Sequence, residues 1–354
     1  MSDDTAADER LGKVDGEFFE EYVFPHLGAD REDVRLGPAH GVDFGVLDVD
    51  GRALVTATDP VSILPELGFA RAGRFALHFA LADVAVSGVA PSHLCVSFAL
   101  PTDVTDEQFA ALWTAVSAEC EALGIAVATG HTARYPEASY PWVGAATVLG
   151  LGAHDDVIRP DAARPGDTLV VTEGPGIETA GLLTTLFPDA PAFASLDDAT
   201  LADARACLDR TGVTRDALAA VDAVDGVAAA AGTPISAMHD ATEGGLRGAL
   251  CEMATAGGVR FDVDTAAVPT DPAALAVADA LDVDPWACTT SGTLLLAVAP
   301  DAVDAVLDAF ADRGTRAAAV GEVSAGSGVY LDGERVEPPA EDPSWAAFAN
   351  LAEE

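Results

Sequence analysis

Basic side chains are scarce in this sequence. Eighteen Lys+Arg stand against 58 Asp+Glu in 354 residues, a formal net charge of −40, and Lys13 is the only lysine. Counterion-release binding to DNA or RNA needs a basic face, and the sequence has no Arg/Lys cluster, which argues against a nucleic-acid partner. Aromatics make up only 6% of the chain. The five cysteines (Cys95, Cys120, Cys207, Cys251, Cys288) include no C-x-x-C pair, and an odd, dispersed set fits separate reduced thiols better than a disulfide or zinc framework. No run of about 18 uncharged apolar residues occurs, so no membrane span is expected. Residues 1–10 are acidic and polar, without the basic flank and apolar stretch of a secretory signal, which predicts a cytoplasmic protein.

Half of the residues are hydrophobic and 21% are charged, too apolar for an acidic disordered chain and ample for a buried core. The length favours two domains. Asp is spread through almost every segment. A surface of that kind suits molar salt, where a Debye length of about 3 Å screens self-repulsion, and we read it as halophilic. An anionic substrate on such a protein would need a metal ion or backbone amides to shield it.

Apolar periodicity predicts alternating strands and helices. In the first half, strands are expected at 52–58, 93–100, 125–129 and 142–150, with helices at 71–87 and 106–123. The second helix has Thr105 and two acids at its start and Gly124 as a stop. Residues 153–166, with two prolines and several acids, are the best linker on composition. Beyond it, strands are expected at 167–172, 236–238 and 294–297, with helices at 178–187, 245–256 and 301–312. After Leu331 the acidic, proline-containing tail is expected to be a surface extension.

Several segments set acids, hydroxyls or glycines just past an apolar strand, where they can reach a ligand at a sheet end. Gly41-Val42-Asp43-Phe44-Gly45 and Ala57-Thr58-Asp59-Pro60 each present an Asp at a strand-loop boundary, either as a turn residue or as a ligand for a hard cation such as Mg²⁺. Asp83 lies among Leu81, Val84 and Val86 on the same predicted helix as Arg74, so it faces a polar crevice or closes a buried salt bridge. Ala128-Thr129-Gly130-His131-Thr132 is expected to run from a strand into a small-residue loop. Gly130 would admit a phosphate to the backbone and Thr132 would supply a hydroxyl, while His131 either donates to the anion or is structural. His239-Asp240-Ala241-Thr242-Glu243-Gly244-Gly245-Leu246 leads from a strand into a helix whose amides could meet an anion, or else Thr242 and Glu243 simply cap it. Gly174-Pro175-Gly176 and Ser291-Gly292-Thr293 repeat the glycine-loop arrangement.

Taken in order, these segments resemble the superfamily of aminoimidazole ribonucleotide (AIR) synthetase, selenophosphate synthetase, thiamine-monophosphate kinase and the hydrogenase-maturation carbamoyl dehydratase, from about Leu36 to Val323. The carbamoyl-dehydratase branch is the most similar. Leu54-Val55-Thr56-Ala57-Thr58-Asp59 resembles its Thr-Asp strand end, Ala82-Asp83-Val84-Ala85-Val86-Ser87-Gly88 its Asn-Asp-Leu-Ala-Met-Ser-Gly segment, and the 240–246 segment its Asp-Pro-Thr-Arg-Gly-Gly-Leu. Arg164-Pro165-Gly166-Asp167 resembles the opening of its second domain. Ala82, Arg74, Glu243 and His131 stand where that branch carries Asn, Lys, Arg and a metal-binding Asp. The Gly-His-Thr loop resembles selenophosphate synthetases instead, and the last ten residues hold no counterpart of the branch's carboxyl-terminal cysteine.

The resemblance implies a mixed α/β, two-domain AIR-synthetase-like fold. An amino-terminal domain (36–152) would bind ATP and Mg²⁺ and build a dimeric β-barrel flanked by helices, and a carboxyl-terminal α/β sandwich domain (164–325) would follow. The activity expected is phosphoryl transfer from ATP that activates a small-molecule oxygen, plausibly of an amide or carboxamide. The alternatives are a small-molecule kinase, a selenophosphate-synthetase-like enzyme, or a non-catalytic nucleotide-binding scaffold for a maturation-protein partner. Asp43, Asp59 and Asp83 are expected to hold Mg²⁺. Thr58, Arg74, Gly130, His131, Thr132, Thr242, Gly244 and Gly245 would contact nucleotide or product anion, and Asp240 and Glu243 would position substrate or accept a proton.

Overall fold

The computed structural model describes residues 12, 14, 16–227 and 233–353; Lys13 and residues 1–10 lie outside the described residues. A short helical segment, α1 (Gly16–Phe18), precedes the first sheet. The first half then contains β1 (Val34–Leu36), β2 (Gly45–Val49), β3 (Arg52–Ser62), α2 (Phe69–Val86), β4 (Pro91–Leu100), α3 (Asp106–Leu123), β5 (Ala126–Arg134) and β6 (Trp142–Gly152). Its strands form a six-stranded sheet of order β1-β2-β3-β6-β4-β5, in which β4 and β5 run parallel and the other pairs antiparallel.

The second half contains β7 (Thr168–Thr172), α4 (Ile177–Leu186), α5 (Asp198–Ala206), α6 (Thr214–Ala223), β8 (Ile235–Ala241), α7 (Gly245–Gly257), β9 (Arg260–Val263) and α8 (Pro272–Ala280). These are followed by β10 (Thr293–Val298), α9 (Val303–Arg313), β11 (Ala317–Ser324), β12 (Gly328–Leu331), β13 (Glu334–Val336) and α10 (Pro343–Glu353). The seven-stranded sheet has the order β13-β12-β9-β11-β7-β10-β8.

Why β7 and β10 read as unbroken apolar runs is visible in their packing. A strand alternates its side chains between two faces, so a run without polar gaps implies cover on both. Val170, Leu294 and Leu296 point into a core shared with the first half, while Leu169, Val171, Leu295 and Ala297 meet Leu246, Leu250 and Met253 of α7. The shared core holds the molecule together. It runs from Val55, Leu81 and Val148 in the first half to Val213, Ile235, Met238 and Phe310 in the second. The helix α2 lies within it, buried on nearly every side, as expected of a helix with little polar surface.

Helix α3 follows its local signals: the Thr105 hydroxyl accepts from the Gln108 amide, the Gln108 side chain accepts from the Thr105 amide, and the helix stops at Gly124. Two expectations are corrected. Residues 130–132 are not a loop but continue β5, an edge strand exposed along almost its whole length. The tail is not a bare extension either. Its last segment forms α10, which docks Ala347 and Leu351 against Ile177, Leu183, Ala274 and Val277, with Phe348 edge-on to Phe187. The five cysteines are free thiols, and burial pushes Cys120, Cys207 and Cys251 up to about 11 and Cys288 up to about 12. Among the described residues no helix is long and apolar enough to cross a membrane.

Candidate functional site

Strand β3 delivers the first acid. Ala53, Val55, Ala57 and Val61 face the core, so by alternation Asp59 points to the same side, where α2 packs on the sheet. Asp83 lies near the carboxyl end of α2, and its side chain is hydrogen-bonded to that of Asp59. Burial holds the Asp83 carboxyl well above the ordinary carboxylate range, and the charges of Asp59, Asp240 and Asp43 raise it further.

Asp43 reaches the same place through a close backbone approach. Phe44 is buried beside it, and Gly41, at φ 66°, lies where a Cβ would come within 3.2 Å of the Glu252 carbonyl of α7. A side chain there would be strained at that φ and would crowd the 41–45 segment against the helix. From the second half, the buried strand β8 contributes His239 and Asp240, 2% and 4% exposed. One ligand-type atom from each of Asp43, His239 and Asp240 lies within 4.8 Å of the others.

His239 bridges two carboxylates, with Nδ1 3.6 Å from Asp43 and Nε2 3.1 Å from Glu252. Burial by itself would lower the imidazole, but the hydrogen bond to Glu252 and the charges of Asp43, Glu252 and Asp240 outweigh it and push the ring up to about 9. The charges of Asp59, Asp240 and Asp43 all act on Asp83, so four carboxyl groups gather beside His239. Carboxylate oxygens suit a hard divalent cation such as Mg²⁺.

The remaining expected site residues do not share this cluster within one chain. Thr58 is on the opposite face of β3, with its hydroxyl 2.9 Å from that of Thr147. Arg74 is exposed and precedes Asp83 by nine residues, which on a helix is about 13 Å along the axis and roughly the opposite side. Gly130 is in register with Asp59 through Val96 and Ala146, three strands away, or about 14 Å. His131 and Thr132 follow it along the exposed edge, His131 within 3.3 Å of the Tyr135 hydroxyl.

At the start of α7 the expected open amides are taken. Gly244, not Thr242, is the cap residue; its N–H donates to Asp342 at 2.9 Å, and the Gly245 N–H donates to the Thr242 carbonyl at 3.0 Å. Glu243 sits in the turn before the helix, beside Gly12.

Four residues that sequence reasoning passed over belong to this region. His239 and Glu252 are 13 residues apart, on a strand and the helix after it, a spacing with no motif to flag it. Glu178 is buried at the start of α4, and Asp342 is carried in by the tail. A proline following Asp342 was the one available signal, since Asp before Pro marks a helix start.

Residues 41–151 match the AIR synthase related protein, N-terminal domain, and residues 164–334 the C-terminal domain of the same family. The chain belongs to the AIR synthase related family. Among curated family members it is similar to the carbamoyl dehydratase HypE of Rhizobium leguminosarum bv. viciae, 28% identical over 312 residues that cover 86% of this chain and 82% of that protein. It is also similar to the selenide, water dikinase of Burkholderia pseudomallei (strain K96243), 32% identical over 312 residues covering 78% and 80%. In fold it resembles the hydrogenase maturation protein HypE solved in complex with ATP, with a TM-score of 0.67 at 21% identity over 94% of this chain and 97% of that one. The fold is thus the two-domain, mixed α/β fold of the family. The first sheet has β1 and β5 at its edges.

Proposed function

We propose that the protein is an ATP- and Mg²⁺-dependent enzyme that transfers a phosphoryl group to an oxygen of a small molecule, with an amide or carboxamide oxygen as the leading acceptor. The observation that carries this is the convergence of Asp43, Asp59 and Asp83 with Asp240, drawn from both halves of the chain, beside a buried imidazolium. Four carboxylates gathered from distant positions are mutually repulsive, and a fold keeps such a group where a cation is to be held.

In this scheme Asp43, Asp59, Asp83 and Asp240 hold the metal, while His239 orients Asp43 and offsets part of the local charge. Bound Mg²⁺ supplies the positive field that a chain this acidic otherwise lacks around phosphate oxygens. Glu243, in the turn three residues after Asp240, is the proposed acceptor of a proton from the substrate. Arg74 is assigned no role within one chain. His131 and Thr132 are proposed to serve a second copy, because β5 offers an unpaired, exposed edge for a homodimer to form on. A maturation-protein partner is the scaffold alternative, favoured by the likeness to HypE.

The test is ADP formation in about molar KCl with Mg²⁺, across a panel of carboxamides, for wild type and Asp59→Ala. Turnover is expected to fall at least on the order of a hundredfold in the variant. Hydrolysis indifferent to Asp59→Ala would remove the proposed metal role. The likeness to a selenide, water dikinase supports a second reading, in which the phosphoryl group stays on the product; phosphate analysis of the products separates the two.

A further inference from the structure

Three glycine loops, 174–176, 244–245 and 290–293, come from separate strand ends and are laced together by hydroxyl and carboxylate side chains. The Thr290 hydroxyl donates to the Gly174 carbonyl at 3.2 Å and accepts from the Ile177 amide, and the Thr293 hydroxyl donates to Gly174 at 2.7 Å. The Thr290 amide donates to the Thr242 carbonyl, joining this knot to the turn that follows Asp240. Asp342, 7% exposed, closes it from the tail. Its Oδ2 accepts from the Gly244 amide at 2.9 Å and from the Thr289 hydroxyl at 2.6 Å; its Oδ1 accepts from the amide and hydroxyl of Ser344 at 2.8 and 2.6 Å. One carboxylate thus caps α10 and pins the turn at Gly244.

We infer that Asp342 is a positioning residue for the acid cluster: by fixing Gly244 and Thr289 it sets the 242–245 turn, and through that turn the end of β8 that carries Asp240. The inference rests on the proposed metal-binding role of Asp240. It has two physical grounds. A carboxylate accepting four hydrogen bonds while shut away from water is held far more firmly than an exposed tail residue, so its geometry is imposed on its partners. Within the turn, Gly244 and Gly245 are both at positive φ (80° and 63°) and Gly244 has no side chain, so the Asp342 carboxylate is the side-chain group that holds the Gly244 amide. The tail is therefore part of the site without touching it. The helix start it occupies is also closed to a substrate anion while Asp342 remains seated.

The experiment is titration of the full-length protein with Mn²⁺ alone, followed by electron paramagnetic resonance, for wild type, Asp342→Ala and Ser344→Ala, with thermal melting of each. Asp342→Ala is expected to weaken Mn²⁺ binding about tenfold, the scale seen when groups behind metal ligands are removed. Ser344→Ala removes the hydroxyl that donates to Asp342 Oδ1 and, at 3.4 Å, to the Thr289 hydroxyl, but leaves Asp342 on the Gly244 amide; it should lower the melting temperature and leave Mn²⁺ affinity at the wild-type value. Wild-type affinity in Asp342→Ala overturns the inference and leaves the metal site standing. A wild type that binds no Mn²⁺ overturns both. If Asp342→Ala does not fold, Asp342→Asn, which keeps one acceptor oxygen, takes its place: binding weaker than in Ser344→Ala supports the positioning role, and equal binding overturns it.

Discussion

Glu178 is a carboxyl group kept where water hardly reaches it, 4% exposed, with one oxygen 2.9 Å from the Ser291 amide that donates to it. Burial pushes it up to about 7, opposed by the Ser291 hydrogen bonds and reinforced by the charge of Asp342. In the unfolded chain the group returns to its ordinary value near 4.5. Between those limits the folded chain holds a proton that the unfolded chain has released, so the stabilisation is full below the unfolded value and is lost as pH rises through the folded one. Glutamine keeps the acceptor for Ser291 and has no charge to desolvate. Glu178→Gln is therefore expected to match wild type at pH 4.5 and to be the more stable protein at pH 8, by at most roughly 3 kcal/mol. Denaturant unfolding at the two pH values checks this, and an equal offset at both would mean that Glu178 titrates alike in the folded and unfolded chains.

Helix α7 supplies a contrast between two glycines three residues apart. Gly245 is at φ 63°, and a Cβ there would lie 2.5 Å from the Cys288 carbonyl and 2.6 Å from that of Trp286, which accepts from the Arg247 amide. Gly248 is in the helix proper, where a Cβ meets nothing closer than the Glu243 carbonyl at 3.4 Å. Gly245→Ala should cost roughly 2–4 kcal/mol, whereas Gly248→Ala should be neutral or stabilise by up to about 1 kcal/mol, read from chemical unfolding of both. The same distinction explains what was legible beforehand. Helix α3 could be read to its ends because Thr105, Gln108 and Gly124 act on their immediate neighbours. Strand β5 was mistaken for a loop beyond Thr129 because its small and polar residues face water on an edge and carry no alternation to count. Helix α10 escaped notice because its apolar face is short, and only the groove between α4 and α8 makes Ala347 and Leu351 core residues. Asp59 and Asp83 could be singled out since each interrupts an apolar run, although β3 continues past Asp59 to Ser62 and does not end there as expected, and Asp43 since it sits between glycines before β2. His239 could not, because Asp43 reaches it from the other half of the chain and Glu252 lies 13 residues on, a spacing that matches no motif.

At the scale of the molecule, an apolar core common to both halves works against a large negative charge. Val55 and Leu81 of the first half and Met238 and Phe310 of the second share one cluster, so parting the halves exposes core on both sides. Arg215 of α6 also reaches across to Glu119 of α3 at 2.6 Å. Arginines such as Arg31, Arg159 and Arg260 are already paired with aspartates two residues away, which leaves most of the 58 acids to repel one another through solvent. Repulsion of that kind is long-ranged in dilute buffer and fades as the Debye length shrinks from about 10 Å at 0.1 M to about 3 Å at 1 M. The core is insensitive to moderate KCl, so the melting temperature should climb with KCl over this interval, and NaCl at equal ionic strength should trace the same curve. Sucrose at matched osmolality controls for exclusion of solute from the surface, which needs no charge. A melting temperature flat in KCl, or one that sucrose raises equally, would show that the surface charge is not what limits the stability of this fold.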